Sequence, residues 1–165
     1  MSLLRPLGHV HLLHGFVASG KTTLARKLES ELPAIRFSPD EWMSVLYGAN
    51  PPAEEFANLY SRVVSLMESV WLSAVKSGSN VILDFGFWKR TDRDNIQKRL
   101  TSLGMPFTLY GMRCDRNVAL ARCRARNDKL IGSLLIDDAA FKLFESRFEE
   151  LEMDEKYVLV DTNQG

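Results

Sequence analysis

The chain has 165 residues, 45% of them apolar, and its 21 Lys and Arg balance 21 Asp and Glu. That is enough apolar side chain for one sizeable core, and it excludes a global positive field of the kind that holds long nucleic acids by counterion release. Cys114 and Cys123 are the only cysteines; they form no CxxC pair, which argues against a disulfide framework or structural zinc and favours a reducing cytoplasm.

The opening MSLLRPLGHVHLLHG carries one Arg and an apolar run broken by three histidines, which suits neither a signal peptide nor a membrane span. A short buried strand is expected at residues 10–14. His9 and His11 would share one face of it and His14 the other, so the three do not converge on a metal. "GFVASGKTT" (15–23) follows, with Gly15, Gly20, Lys21 and Thr22 on the pattern G, four residues, G, K, S or T. The glycines allow backbone geometry that a Cβ would block, and the amides of Ala18, Ser19, Gly20, Lys21, Thr22 and Thr23, with the helix N-terminus, suit the anionic oxygens of ATP. Lys21 then reaches the β- and γ-phosphates and the Thr22 hydroxyl ligates Mg²⁺. A helix over 20–32, with Leu24 and Leu28 on one face, completes the strand, Gly-rich turn and helix that the motif requires.

Residues 34–37 read as a second strand, followed by "SPDE": Ser38 as N-cap, Pro39 at N1 and Glu41 at N3 form a capping box. Asp40 in this first turn either complements the helix dipole or accepts the proton of an attacking hydroxyl. The longest helix is expected over 53–76, with Phe56, Tyr60, Val63, Met67, Val70, Trp71 and Ala74 on one face and Gly78 as its stop. "NVILDF" (80–85) is a strand buried on both faces. Asp84 at its end either orients Mg²⁺, directly or through water, or stabilises a turn.

Thr91 with Asp94 resembles a capping box opening a helix to about residue 103; Lys89, Arg90 and Arg93 beside it hold an acceptor or simply cap the helix. Trp42 and Trp88 line an acceptor pocket or stack on a base, unless they pack in the core or lid. A strand over 105–112, a helix over 115–127, a polar break, a helix over 137–153 and a strand over 157–160 complete the chain. Arg122 and Arg126 share a face of the basic stretch 113–129, and either close over the triphosphate or form a solvated face. Five strands alternating with helices predict an α/β fold, a parallel sheet covered on both sides, in one domain over 1–165.

The P-loop with Lys21 and Thr22, the Asp after the second strand, the Asp ending the third and the late "ARCRARN" segment resemble small P-loop kinases over about residues 9–160. That group of AAA-type ATP-binding proteins contains chloramphenicol phosphotransferase, zeta toxins and the polynucleotide 5′-kinase domain. The resemblance implies a three-layer P-loop NTPase fold with strand order 2-3-1-4-5 and a lid segment around 122–136. It implies Asp40 as general base, Asp84 as the acidic residue of the second nucleotide motif, and Arg122 and Arg126 as lid arginines. Polynucleotide kinases of this group carry an Arg shortly after the base, whereas Glu41, Trp42, Met43 and Ser44 stand here. An acceptor without a phosphate is therefore favoured over a nucleic-acid end. The expected activity is transfer of the γ-phosphate of ATP, with Mg²⁺, to a hydroxyl of a small molecule, catalysed by Asp40, Lys21, Arg122 and Arg126 with Trp42, Trp88, Arg90 and Arg93 near the acceptor. The alternatives are a nucleotide-hydrolysing switch with a protein partner and a nucleic-acid 5′-hydroxyl kinase. A GTP switch would carry NKxD, and "NDKL" (127–130) has the wrong order.

Overall fold

The structure, a computed structural model, describes residues 6–129 and 134–163; part of the expected lid, 130–133, lies outside the described residues. In chain order the elements are β1 (Val10–His14), α1 (Lys21–Glu31), β2 (Ala34–Phe37), α2 (Pro39–Tyr47), α3 (Ala53–Lys76), β3 (Asn80–Gly86), α4 (Arg90–Ser102), β4 (Phe107–Arg113), α5 (Arg116–Asn127), α6 (Asp138–Arg147) and β5 (Val158–Asp161). All strand pairs are parallel, in the order β2-β3-β1-β4-β5. This is the three-layer P-loop NTPase arrangement, with helices on both faces. Because β1 and β3 are neighbours, with Leu12 opposite Leu83 and His14 opposite Gly86, the turn after β1 and the acidic end of β3 emerge side by side.

Period-two alternation divides the core. Leu12, Val81 and Leu83 pack with Met43, Val63, Met67, Trp71 and Val75 of α2 and α3, while Leu13 and Ile82 point to the other face, against Leu24, Ala25 and Leu28 of α1. Within α3 the buried residues Val63, Met67, Trp71 and Val75 recur every fourth position. Val70 is 45% exposed, one step off the face expected for it.

The end of the last helix and the cap of α4 depart from expectation for one shared reason. The last helix stops at Arg147 rather than 153, with Phe148 extended. Helix α4 starts at Arg90 with no side-chain cap, so Thr91 and Asp94 do not form its box. Instead the Arg90 amide donates to the Glu149 carboxylate at 2.6 Å. Arg93, fully buried, donates to the carbonyls of Phe87, Trp88, Glu149 and Glu150 and pairs with Glu155 at 2.7 Å. Those carbonyls are available only if residues 149–150 leave the helix, so one arginine straps the segment after α6 to the end of β3. Arg93→Ala would take the nearest cation from the Glu155 carboxylate, whose side chain is 2% exposed, leaving it Arg90 at 3.7 Å and the Glu152 amide, and is expected to cost about 3 kcal/mol. Urea unfolding of the variant and the wild type measures the difference.

The histidines are structural. His9 Nε2 lies 2.8 Å from Thr108 Oγ1, His11 Nδ1 3.1 Å from Tyr110 Oη, and His14 Nδ1 donates to the Phe87 carbonyl while its ring stacks on Phe148. Burial pushes His11 and His14 down to about 4 from an ordinary 6.5. An unfolded chain takes these protons near pH 6.5 and the folded chain only near pH 4, so stability is complete above 6.5 and is lost as pH falls towards 4. The loss is on the order of 3 kcal/mol for His14, the more deeply buried, and less for His11. A thermal midpoint that falls steeply through this window, and less steeply in His14→Gln, is the expected result.

Candidate active site

The turn after β1 is built so that its carbonyls face away from its centre. Trp88 Nε1 donates to Gly15 O at 3.0 Å, Lys21 Nζ to Phe16 O at 2.7 Å, and Thr162 Oγ1 to Ser19 O at 2.7 Å. Among the described residues the amides of Val17, Ala18, Gly20 and Lys21 have no protein acceptor. Gly20 adopts φ +93° and Ala18 φ +54°; a left-handed non-glycine residue costs on the order of 1 kcal/mol and recurs at ligand-binding turns. A Cβ on Gly15 would sit 2.5 Å from Ser19 Oγ and 2.8 Å from Met112 Cβ, so the loop closes only on glycine there. The result is a nest of amides at the N-terminus of α1, shaped for phosphate.

Thr22 Oγ1 donates to Asp84 Oδ2 at 2.8 Å. A hydroxyl and a carboxylate in contact beside the nest are the hard oxygen donors that Mg²⁺ takes, and these residues would hold it. Arg36 Nη1 lies 3.9 Å from Asp84, and its other nitrogens pair with Glu41 and Glu29. Burial raises the pKa of Asp84, opposed by Lys21, by the Thr22 hydrogen bond and by Arg36.

Asp40 stands in the first turn of α2, where Ser38 Oγ accepts the Glu41 amide and Pro39 opens the helix. Glu41 does not reach back to close the box; it binds Arg36 at 2.8 Å and Arg26 at 3.1 Å. Asp40 is open to the cleft yet closely surrounded by protein, and its pKa is raised, first by desolvation, with Lys21 and Arg126 acting against it and Asp84 for it. Burial lowers the pKa of Lys21, with Asp84 and Asp40 acting against it. The end of β2, the nest and the end of β3 thus bring Lys21, Asp40 and Asp84 within mutual electrostatic reach.

The two arginines of α5 have different surroundings. Arg122 donates to Thr162 O at 2.6 Å and to Ala18 O at 3.5 Å, bracing the nest from the β5 side. Arg126 lines the cleft and acts electrostatically on Lys21 and Asp40. Three buried side-chain atoms among the described residues lack a hydrogen-bond partner: Ser19 Oγ, Arg36 Nη1 and Arg126 Nε. Ser19 and Arg126 line the cleft, where a buried cationic donor suits an anionic ligand, while Arg36 Nη1 faces Asp84 at 3.9 Å.

Gly15 and Phe16 contribute the carbonyls named above, and Ala18, Ser19, Gly20, Lys21, Thr22, Thr23, Asp40, Asp84, Trp88, Arg122 and Arg126 all line one cleft of about 1870 Å³. Such a volume exceeds that of a single drug-sized ligand site. The structure does not bring Trp42, Arg90 and Arg93 to it. Trp42 packs against the core beside Phe37. Arg90 is engaged by Asp94, Glu152 and Asp154, and Arg93 by the strap. Trp88 does line the cleft, but its indole is committed to Gly15 and its ring to Phe16, Phe144 and Phe148. Arg36 beside Asp84, Thr162 beneath the nest and Tyr60 on the cleft wall are residues that the sequence does not mark as part of the site. Arg36 carried one signal, a charge inside the apolar strand "AIRF"; Thr162 carried none, because β5 joins the nest only through the fold.

The sheet order, the nest and its acidic partner define a P-loop kinase-like fold. The chain belongs to the AAA domain family AAA_33, whose profile matches residues 10–151. Among solved structures it is similar to a candidate kinase from Chloroflexus aurantiacus J-10-fl (TM-score 0.73, 19% identity, 95% of this chain and 89% of that one). It is also similar to a chain of the Pnkp1/Rnl/Hen1 RNA repair complex (0.68, 18%, 88% and 45%). A gluconokinase from Sinorhizobium meliloti 1021 shares the fold as well (0.61, 15%, 98% and 86%). No curated protein sequence matches the chain. No helix among the described residues is long and apolar enough to cross a membrane.

Proposed function

We propose that the protein is an ATP-dependent kinase that transfers the γ-phosphate to a hydroxyl of a small molecule in the cytoplasm. The observation that carries this reading is the meeting of the amide nest, Lys21 and the Thr22–Asp84 pair with a second carboxylate, Asp40, in one cleft. A hydrolytic switch has no need of a second carboxylate on the acceptor side. The nest and Lys21 hold the phosphate chain, and Arg126 adds positive charge where the transferring group gains negative charge. Mg²⁺, when bound by Thr22 and Asp84, supplies charge neutralisation of the phosphate oxygens. Asp40 accepts the proton of the acceptor hydroxyl as its oxygen bonds to the γ-phosphorus; the bond to the β-phosphate oxygen breaks and ADP departs.

Of the three cations expected beside β3, Arg90 and Arg93 are committed to carboxylates of this chain and only Lys89 lines the cleft, which supports a small acceptor over a nucleic-acid end. The gluconokinase fold neighbour fits the same direction. The test is ADP release from Mg·ATP with and without pools of hydroxyl-bearing metabolites, antibiotics and 5′-hydroxyl oligonucleotides. Stimulation by a small-molecule pool, abolished by EDTA and restored by Mg²⁺, is expected. A rate that no pool changes would turn the reading towards a switch.

A further inference from the structure

The cleft continues past Asp40 and Asp84 into a groove between α3 and α4, and its walls are aromatic. Phe56 and Tyr60 of α3 form a stacked pair with ring centroids 5.7 Å apart, and Phe85 and Phe87 at the end of β3 form a second at 5.7 Å. All four line the cleft and are only partly buried. Val64 and Ile96 extend the apolar lining along the two helices. Glu68 of α3 pairs with Arg99 of α4 across the groove, so it is bounded at that end and suits a molecule of limited length.

The polar groups along it are Tyr60, Asp92, Asn95 and the Glu68–Arg99 pair, with Lys89 at its mouth. The Tyr60 hydroxyl makes no hydrogen bond with any described residue, yet it lies close enough to Asp40, Asp84 and Asp92 for their charges to raise its pKa, after burial itself. Arg99 is neutralised by Glu68, and Lys89 is exposed at the start of α4. Phe87 is held at φ +43°, a left-handed conformation that a bulky residue adopts only where its surroundings impose it.

We infer that this groove is the acceptor site, and that it takes an uncharged alcohol with an aromatic or hydrocarbon body, whose hydroxyl is received by Tyr60 and Asp40. The inference rests on the kinase reading for the fate of that hydroxyl. A polyol brings several hydroxyls that would need more partners than the aromatic walls offer, and an anionic body would lie beside Asp40 and Asp92, neither of which is in a salt bridge with a described residue. A planar apolar body instead stacks on the two ring pairs and displaces water from them.

The experiment measures binding and phosphate transfer separately, on the whole protein, for 2-phenylethanol, 2-naphthylmethanol, glucose, gluconate and a 5′-hydroxyl oligonucleotide. Binding is read by saturation-transfer NMR and calorimetry, and transfer by label from γ-labelled ATP. The aryl alcohols are expected to bind wild type, at least tenfold more weakly to Val64→Trp, which fills the groove, and severalfold more weakly to Tyr60→Phe, which keeps the ring and so the fold. Binding of the sugars or the oligonucleotide in place of the aryl alcohols, no binding by any probe, or aryl binding untouched in both variants overturns the inference. Phosphate transferred to glucose, gluconate or the oligonucleotide would leave the kinase reading standing without the aromatic acceptor. Aryl alcohols that bind in a Val64→Trp-sensitive way but receive no phosphate would support the groove and count against the kinase.

Discussion

Asp40→Asn slows phosphate transfer to the acceptor by about 10²- to 10⁴-fold while ATP still binds; this is the expected result if Asp40 is a general base. The amide keeps the size and polarity of the side chain but cannot take a proton. As a helix-start carboxylate alone, Asp40 would contribute about 0.3–1 kcal/mol through the dipole of α2 and nothing to the rate. Burial raises its pKa, with Asp84 adding to the shift. Since only the ionised form accepts a proton, kcat should fall as pH drops through that raised pKa, on an acid limb above the ordinary aspartate range. The limb should be absent from Asp40→Asn. ADP release across pH, with ATP affinity from calorimetry, measures both. A variant as fast as wild type would reduce Asp40 to a helix cap.

Arg126→Ala is expected to lower kcat by about 10³-fold, the range in which a transition-state arginine acts. Its Nε is buried without a partner, and its charge acts on Lys21 and Asp40, where the γ-phosphate would lie. Arg122, held by the Thr162 and Ala18 carbonyls, braces the loop instead, so Arg122→Ala should raise the KM for ATP more than it lowers kcat. Steady-state kcat and KM for the two variants separate these roles. If the two substitutions exchange effects, the assignment of the arginines is reversed.

The site was legible in the sequence to the extent that it is local. G-x-x-x-x-G-K-T is a backbone motif whose geometry is set by its own glycines and the helix it opens, so its place after β1 followed from the string. Asp84 was readable because an acidic residue closing an apolar run has to emerge at a strand end. Ser38 and Pro39 announced the start of α2, and with it the placement of Asp40. The basic octad "FWKRTDRD" read the other way. Nothing local distinguishes an arginine reaching for substrate from Arg93, which is satisfied by carbonyls and a carboxylate more than fifty positions away. The early end of α6 has the same origin, since its aromatic periodicity continues to Phe148 while the backbone carbonyls beyond are taken by that arginine.

By itself, then, the sequence determined the order of strands and helices, the phosphate nest and the two carboxylates beside it, because short-range propensity and periodicity decide these. The tertiary structure alone decided that Arg126 is directed to the charge cluster and Arg122 to the loop. It also decided that Arg36 stands behind Asp84, that Arg90 and Arg93 are structural, and that Phe56, Tyr60, Phe85 and Phe87 face one groove. Each of these is a pairing across the sheet or between helices distant in the chain. Partners of that kind are selected by packing and desolvation once the layers close, and no spacing along the chain encodes them.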